Sequence, residues 1–411
     1  MSLTRRLSLC VAALFTASTL GQAGVLSLSA GGTFDISALN IVSIGDLAFA
    51  GGEVWVADGT SGGLVWGVNT LGVVIDTVNP AVIPGFTGGA DALTTVGATG
   101  LIAFSSFGQS VAGFFSHTGG AATSYPSALG ATGADFAGSL WIASGTVAGG
   151  GSTLLRLNSN TGAVELTVPV VGLTARNADI AFDPFTGGLY ALCEDDQLRQ
   201  LDKVTGAILA TQDLAPLLIG HNTVNGGFDF DASGSKLYVA TGSGAGADSI
   251  VVLDRAFSTN VCGNSSPGFV CPCGNSGNAG RGCLNSLIFK AGAQIKGSGV
   301  PRTITDTFQL DITGMTIGTS VLFFQGTALT SITFGDGVLC AGGSVVRLAV
   351  ESAPAGTATY PGAGETLIHI KGLIPAGTSM RYYQGWYRDS ALAFCTPAFF
   401  NLTNAVEVEW R

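Results

Sequence analysis

Charged residues are scarce in this chain of 411 residues, and basic residues are the scarcer kind. Lys and Arg number 17 against 27 Asp and Glu, which gives a net charge of −10. Because nucleic acids are bound through basic surfaces, this balance argues against a nucleic-acid partner. The chain also lacks a glycine-rich phosphate loop between a strand and a helix, which argues against nucleotide cofactors.

Long hydrophobic runs are also missing. The apolar run from Leu7 to Leu20 covers 14 residues, whereas a membrane-spanning helix needs about 20. Arg5 and Arg6 precede this run and the small-residue stretch 21–23 follows it, which is the pattern of a secretory signal peptide over residues 1–23. We therefore predict a protein without a transmembrane segment that is secreted or held at the exterior of the cell envelope.

Glycine, in contrast, is abundant, with 62 copies that punctuate short apolar segments. A segment that opens with an Asp on an apolar strand recurs at intervals of 45, 44, 44 and 50 residues. The five Asp residues are Asp46, Asp91, Asp135, Asp179 and Asp229. One four-stranded propeller blade needs about 40 to 50 residues. The spacing predicts a β-propeller over residues 24–258, with five blades favoured and six possible.

The fifth copy stops after its third strand, at Phe257, so its blade lacks an outer strand. Residues 25–29 and 32–36 look like the last two strands of a blade that has no first two. We predict that this segment pairs with the final blade and closes the ring, which removes an open sheet edge.

The segment 237–240, Leu-Tyr-Val-Ala, followed by 250–254, Ile-Val-Val-Leu-Asp, resembles the YVTN and NHL classes of propeller repeat. The resemblance implies a secreted or surface protein, but these classes also include enzymes. Propellers support many functions, so the fold by itself selects none of them.

The character of the chain changes after Val261. Six cysteines follow, and short alternating strands are predicted at 308–312, 321–325, 345–350, 367–370, 380–387 and 406–410. This pattern predicts a Cys-rich start over residues 259–285 and an antiparallel β-sandwich over 286–411. Together with the motifs at 334–340, 383–389 and 400–410, the Cys-Pro-Cys-Gly-Asn motif at 271–275 resembles a terminal module that recurs in secreted bacterial proteins. That module implies an exported location and no particular activity.

The six cysteines of this region are expected to form three disulfides, as is usual in exported domains. They are Cys262, Cys271, Cys273, Cys283, Cys340 and Cys395. We expect Cys340 to pair with Cys395 and two bridges to form within the 262–283 cluster. A four-cysteine zinc site is the alternative, although the single residue between Cys271 and Cys273 is shorter than zinc sites favour. Cys193, in a propeller strand, is expected to be a buried small hydrophobe.

The recurrent Asp residues are the candidate ligand or metal site, because all five are expected to surround one mouth of the central channel. Like charges this close need a cation or hydrogen-bond donors between them, and calcium is the possible cofactor. In the alternative interpretation, each Asp accepts backbone hydrogen bonds that hold neighbouring blades together. Asn177 and Asn225 precede the last two copies and resemble the Asn of calcium-dependent lactonase propellers, although the accompanying Glu of that family is not identifiable.

We identify no catalytic residues in the sequence, and three functions remain open. The preferred one is a non-catalytic exported binding or surface protein that recognises a surface protein or a glycan. A calcium-dependent, lactonase-like hydrolase with acids at the channel mouth is the second, and a structural envelope or matrix component is the third.

Overall fold

The computed structural model of the chain is an all-β protein with a propeller followed by a sandwich. It describes residues 26–41, 44–60, 63–82, 90, 92–96, 100–105, 111–116, 123–126, 133–136, 139–145, 152–158, 161–173, 179–242, 249–287, 291–390 and 394–411. The predicted signal peptide, Asp91 and Asn177 lie outside these residues. No helix of the described residues is long and apolar enough to cross a membrane.

The propeller contains five four-stranded antiparallel sheets within the described residues. Its first strand is β1 (Leu28–Asp35), followed by a short 3-10 turn at Ser37–Leu39. Sheet 1 comprises β2 (Ile44–Ala50), β3 (Glu53–Asp58), β4 (Val65–Val68) and β5 (Val74–Val78). After a 3-10 turn at Pro80–Val82, sheet 2 comprises β6 (Ala92–Val96), β7 (Gly100–Ser105), β8 (Val111–Ser116) and β9 (Thr123–Pro126).

The remaining propeller sheets follow the same order from the inner to the outer strand. Sheet 3 comprises β10 (Gly133–Phe136), β11 (Leu140–Gly145), β12 (Ser152–Leu157) and β13 (Val164–Val170). Sheet 4 comprises β14 (Asp179–Phe182), β15 (Leu189–Leu192), β16 (Gln197–Leu201) and β17 (Ile208–Asp213). Sheet 5 comprises β18 (Asn222–Phe230), β19 (Lys236–Gly242), β20 (Ser249–Arg255) and, as its outermost strand, β1.

The inner strands of the five sheets form a closed ring. In turn, β2 contacts β6, β6 contacts β10, β10 contacts β14, β14 contacts β18, and β18 returns to β2. Apolar side chains fill the space between neighbouring sheets, as where Tyr190 and Leu192 of sheet 4 pack with Phe228 and Leu237 of sheet 5. Each sheet therefore buries both of its faces against its neighbours.

The N-terminal segment closes the ring, as the sequence predicts. β1 pairs antiparallel with β20 from Leu28 opposite Arg255 to Asp35 opposite Ser249. The expectation of two strands here is wrong, because residues 28–35 form one strand with a bulge between Ala30 and Gly32. A Cβ atom added at Gly31, inside the bulge, lies 2.7 Å from the Asp254 carboxyl carbon. Glycine therefore lets this carboxylate lie against the strand.

The C-terminal region is a sandwich of a five-stranded and a three-stranded sheet, with a two-stranded hairpin beside them. Its strands are β21 (Ser258–Cys262), β22 (Gln294–Ser298), β23 (Gln309–Thr313), β24 (Thr319–Gly326), β25 (Ala328–Phe334), β26 (Gly337–Gly342), β27 (Val346–Ala353), β28 (Ala358–Tyr360), β29 (Ser379–Arg388) and β30 (Phe400–Trp410). The large sheet has the order β21-β30-β29-β24-β27, the small one β22-β23-β28, and β25 pairs with β26.

The sandwich core lies between the two larger sheets and is rich in aromatic side chains. Phe308, Phe323, Tyr383, Tyr387 and Trp410 are almost completely buried in one cluster. The aromatic strand β29 divides its side chains as its alternation predicts. Tyr383 and Tyr387 enter the core, whereas Tyr382 and Trp386 are only partly buried on the other face.

The strand predicted at 367–370 is wrong, because Ile368–Lys371 forms a single helical turn, α1. A short apolar run does not distinguish a strand from a helix by periodicity alone. In the folded chain, Ile368 is fully buried in the sandwich core while Ile370 is exposed. One helical turn therefore buries a single anchor rather than one face of a strand.

All six cysteines of the C-terminal region form disulfides, but the expected pairing is only partly correct. Cys271 pairs with Cys283, inside the cluster as predicted. The predicted bridge between Cys340 and Cys395 is wrong: Cys340 pairs with Cys262, and Cys395 pairs with Cys273. The physical reason is that β21 and β26 both lie against β30, which brings Cys262 and Cys340 into one buried cluster. No four-cysteine zinc site remains possible among these residues.

The two bridges of different length give a test of the disulfide framework. The Cys273–Cys395 bridge spans 122 residues and the Cys271–Cys283 bridge spans 12. Removing the long bridge by Cys273→Ser with Cys395→Ser is expected to lower the free energy of unfolding by about 5 kcal/mol. Removing the short bridge should lower it by about 3 kcal/mol, because the unfolded chain gains less entropy when a shorter loop is opened. Urea unfolding of the sandwich measures both losses. A larger loss from the short bridge contradicts this account.

Candidate functional site

The recurrent Asp residues meet at the centre of the propeller, on the inner strands. Asp46 is in β2, Asp135 in β10, Asp179 at the start of β14, and Asp229 in β18. Asp46 and Asp179 are fully buried, while Asp135 and Asp229 retain partial exposure. The structure therefore brings four of the five predicted residues together.

The other predicted residues of this site are not brought into it by anything the structure describes. Asp91 and Asn177 lie outside the described residues. Asn225 lies in β18, between the paired residues Thr223 and Phe228, and its side chain is among those the structure leaves undescribed.

Each of the four carboxylates uses both oxygens to accept backbone hydrogen bonds. One oxygen accepts from the amide of the following residue, at 2.7 Å for Leu47 on Asp46 and for Phe230 on Asp229. The other oxygen accepts from an amide in the next sheet of the ring. These bonds run from Leu93 to Asp46, from Phe182 to Asp135, from Phe228 to Asp179 and from Phe49 to Asp229.

These bonds link consecutive sheets at four of the five junctions of the ring. Asp46 connects sheets 1 and 2, Asp135 connects sheets 3 and 4, Asp179 connects sheets 4 and 5, and Asp229 connects sheet 5 back to sheet 1. The junction between sheets 2 and 3 carries a bond from the Thr94 hydroxyl to Asp135 at 3.2 Å. The periodic Asp is therefore a structural connector between sheets.

Burial raises the pKa of all four carboxyl groups because water is removed from the charged form. The pKa of Asp46 rises to about 7 and that of Asp135 to about 6. Burial also raises the pKa of Asp179 and of Asp229 well above the ordinary value, and the negative charges of Asp46 and Asp135, respectively, raise them further. The four groups therefore share a space in which retained protons reduce their mutual repulsion.

The carboxylate oxygens at the ring centre are engaged by the protein backbone. Calcium takes six to eight oxygen ligands, whereas here both oxygens of each carboxylate already accept amide hydrogens. In the described part of the chain, no group of three or more His, Cys, Asp or Glu side chains is arranged to hold a metal ion.

The raised pKa values predict that the propeller is less stable at alkaline pH. Between about pH 4 and pH 7 the folded protein holds protons that the unfolded chain has released, so stability falls as the pH rises, by about 1.4 kcal/mol per pH unit for each such proton. We expect a lower thermal midpoint at pH 8 than at pH 5. Asp179→Asn removes one titrating group and should make this fall shallower.

The matched control is Asp76→Asn, which changes a carboxylate on the outer strand β5. Thermal unfolding of the wild type and both variants from pH 4 to pH 9 measures the three slopes. Equal slopes in the wild type and Asp179→Asn contradict retained protons at the ring centre.

Because the carboxylate oxygens already accept amide hydrogens, we expect millimolar calcium to leave the thermal midpoint unchanged. A ligand that binds only the folded state raises its stability. A rise of several degrees in the wild type that disappears in Asp179→Asn combined with Asp229→Asn contradicts this expectation and supports a calcium site.

A second candidate site lies between the propeller and the sandwich, where three arginines surround one aromatic ring. The guanidinium carbons of Arg255, Arg302 and Arg411 lie 5.1, 5.8 and 5.7 Å from the centre of the Phe185 ring. The Phe257 ring packs against the same ring, with centroids 4.5 Å apart and the planes tilted by 51°. Phe185 belongs to a propeller turn, whereas Arg302 and Arg411 belong to the sandwich. We call these five side chains the interdomain clamp.

The turn that presents Phe185 is fixed by Asp183, which is completely buried. Its carboxylate accepts hydrogen bonds from the Phe185 amide and the Thr186 hydroxyl. The same carboxylate forms an ion pair with Arg255 at 2.8 Å. Arg302 reaches across from the sandwich to the carbonyl oxygens of the turn, at Pro184 and Phe185. Charged, aromatic and backbone groups thus join the two domains.

Beside the clamp lies a cleft of about 690 Å³, between sheet 5 and the loop that joins β22 to β23. Its propeller wall includes Ser29, Lys236 and Asp254, which are neighbours across β1, β20 and β19. The sandwich wall includes Ser298 and Arg302. Binding sites occur preferentially in clefts between domains, at volumes of about 300 to 1,000 Å³.

Sequence reasoning missed both the clamp and the cleft. The sequence Asp183-Pro184-Phe185 is recognisable as a turn. Turns normally lie at the surface, so a large aromatic residue in a turn is a signal that another part of the protein covers it. The residues that cover it, Arg302 and Arg411, lie more than 100 positions further along the chain. Their meeting depends on how the domains pack.

Cys193 has structural surroundings, as expected. It is fully buried, and burial raises its thiol pKa to about 12, which keeps the thiol protonated. Two histidines also have partners within the protein: His369 lies 2.9 Å from the carboxylate of the buried Asp306, and His221 lies 3.3 Å from the Ser249 hydroxyl.

Comparison with known proteins finds similar solved structures, among them WD40 propellers. No family model and no curated protein matches the chain. The structure of Myxococcus xanthus glutaminyl cyclase is 15% identical, with 56% of this chain and 97% of that chain covered and a TM-score of 0.44. The WD40 repeats of RRP9 are 9% identical, with coverage of 56% and 99% and a TM-score of 0.38. At these scores, the assignment of the propeller rests on the chain's own sheet topology.

Proposed function

We propose that this chain is an exported, non-catalytic binding protein whose ligand site is the cleft between sheet 5 and the sandwich. The observation that carries the proposal is the interdomain clamp, which joins the propeller and the sandwich beside a concave space. A binding site gains affinity when its walls are fixed before the ligand arrives, because less freedom is lost on binding.

Export is supported by two features of the chain. Three disulfides within one domain are typical of proteins that fold in an oxidising compartment. The sequence of residues 1–23 has the pattern of a secretory signal peptide. The resemblance to YVTN and NHL repeats and to a terminal module of secreted bacterial proteins agrees with this proposal.

A calcium-dependent hydrolase is the second candidate, and the gathering of four carboxyl groups at the ring centre favours it. Against it stand the backbone amides that already occupy their oxygens. The calcium measurement described above separates the two candidates, because only the hydrolase requires an ion at the Asp residues.

A cleft-filling substitution tests the binding proposal. Ala232 lines the cleft and is exposed, so Ala232→Trp is expected to fill the space without removing a packing contact. We would screen oligosaccharides, peptides and calcium chloride by thermal shift and expect a stabilising ligand whose effect is lost in Ala232→Trp. Ala355→Trp, in an exposed turn of the sandwich, is the matched control.

Two outcomes contradict the proposal. A ligand whose stabilising effect is the same in Ala232→Trp and in Ala355→Trp places the binding site elsewhere on the protein. Hydrolysis of a small substrate at a useful rate without added metal contradicts the non-catalytic function.

A further inference from the structure

The lining of the interdomain cleft is unusually rich in hydroxyl groups. Six of its sixteen residues are Ser or Thr, and they come from both walls. They are Ser29, Ser233, Ser235, Ser298, Thr305 and Thr307. Hydroxyls both donate and accept hydrogen bonds, so this lining suits a ligand that carries many groups of the same kind. Ser233 and Ser235 already donate to the Asp231 carboxylate, and the Thr307 hydroxyl accepts the Val300 amide. Each hydroxyl oxygen can still accept a further hydrogen bond from a ligand.

The propeller wall carries a row of three polar side chains on adjacent strands. Ser29 of β1 is opposite Asp254 of β20, and Asp254 is opposite Lys236 of β19. Side chains directly opposite each other in antiparallel strands are about 5 Å apart. Lys236 forms an ion pair with Asp254, and both side chains remain nearly half exposed. The row therefore presents a donor, an acceptor and a hydroxyl at a spacing that neighbouring hydroxyls of a sugar ring can bridge.

The charged residues that line the cleft are mostly cations, although the chain as a whole is acidic. The lining contains the cations Lys236, Arg255 and Arg302 and the single carboxylate of Asp254. Arg255 is also paired with the buried Asp183, outside the lining, and the Asp231 carboxylate accepts hydrogen bonds from the lining serines Ser233 and Ser235. Among the described residues, the hydrogen bonds of Arg302 go to the carbonyl oxygens of Pro184 and Phe185, and it forms no ion pair. The Arg302 guanidinium is thus the lining cation without a carboxylate partner among these residues.

Phe257 supplies the one aromatic ring of the lining. One face of a sugar ring is apolar through its C–H groups, and aromatic rings pack against apolar surfaces of this kind while polar groups nearby remain hydrated. The cleft volume of about 690 Å³ falls in the range of sites that enclose small organic ligands, about 300 to 1,000 Å³.

We infer that the cleft binds an acidic oligosaccharide, with a sugar carboxylate near Arg302 and Lys236 and ring hydroxyls on Asp254 and the serines. This inference rests on the proposed function, since it names the ligand class of the same cleft. Hydroxyl-rich walls select a sugar over an apolar molecule, and the uncompensated cation selects an acidic sugar over a neutral one.

The test is calorimetric binding of three probes to the full oxidised protein. The probes are a uronic-acid tetrasaccharide, the same tetrasaccharide with its carboxyl groups reduced to alcohols, and a tetra-aspartate peptide. We expect the acidic sugar to bind at least about tenfold more tightly than either other probe, since a hydrogen bond to a charged group is stronger than one between neutral groups. Equal binding of the neutral sugar overturns the charge assignment, and equal binding of the peptide overturns the sugar assignment.

Variants at Lys236 show whether the cleft is the site. Lys236→Gln is expected to weaken binding of the acidic sugar about tenfold, whereas Lys236→Arg keeps the charge and should retain most of the affinity. Lys371→Gln, an exposed lysine of α1 that does not line the cleft, is the matched control and should bind as the wild type does. Unchanged binding in Lys236→Gln overturns the inference.

Failure of the ligand class and failure of the proposed function give different results. If none of the three probes binds but another ligand stabilises the protein and loses its effect in Ala232→Trp, the acidic-sugar inference is wrong and the binding cleft stands. If every stabilising ligand retains its effect in Ala232→Trp, the cleft is not the site and both proposals are wrong.

Discussion

A carboxylate buried in the centre of a propeller has to accept hydrogen bonds or keep its proton, and the architecture of this chain depends on how it does both. Each described Asp of the ring accepts one amide from its own strand and one from the next sheet. A hydrogen bond from an amide to a charged carboxylate is stronger than one between two neutral groups. The same burial that makes these bonds strong also raises the carboxyl pKa values. Stability and proton retention therefore have one physical origin.

The join between the two domains uses a different balance of forces. Three guanidinium groups lie around Phe185 and contact its aromatic ring. Arg255 is also paired with the buried Asp183 and Arg411 with Glu409, whereas Arg302 is bonded to carbonyl oxygens of the turn. The chain has only 17 basic residues, and three of them lie at this one point.

The features that could be predicted from the sequence are those that a local pattern of residues encodes. The Asp period and the alternating strands reveal the propeller because each repeat carries its own signal, and the missing outer strand of the last copy points to the N-terminal segment. The predicted disulfide pairing is wrong because Cys262 meets Cys340 only after β25 and β26 fold back as a hairpin. The spacing of the cysteines in the sequence does not encode this contact. The strand prediction at 367–370 is wrong because this segment buries only Ile368, which a single helical turn achieves. The clamp is invisible in the sequence because Phe185 and Arg411 are joined only by domain packing.

The position of β1 in the chain gives assembly a fixed order. β1 is among the earliest parts of the folded protein to be made, yet its partner β20 is synthesised more than 200 residues later. Pairings this distant form slowly, because a long loop must close before any bond forms. During this interval the propeller remains an open arc. Ser29 reaches the cleft only with the closing strand, so the complete cleft exists only once the ring has closed.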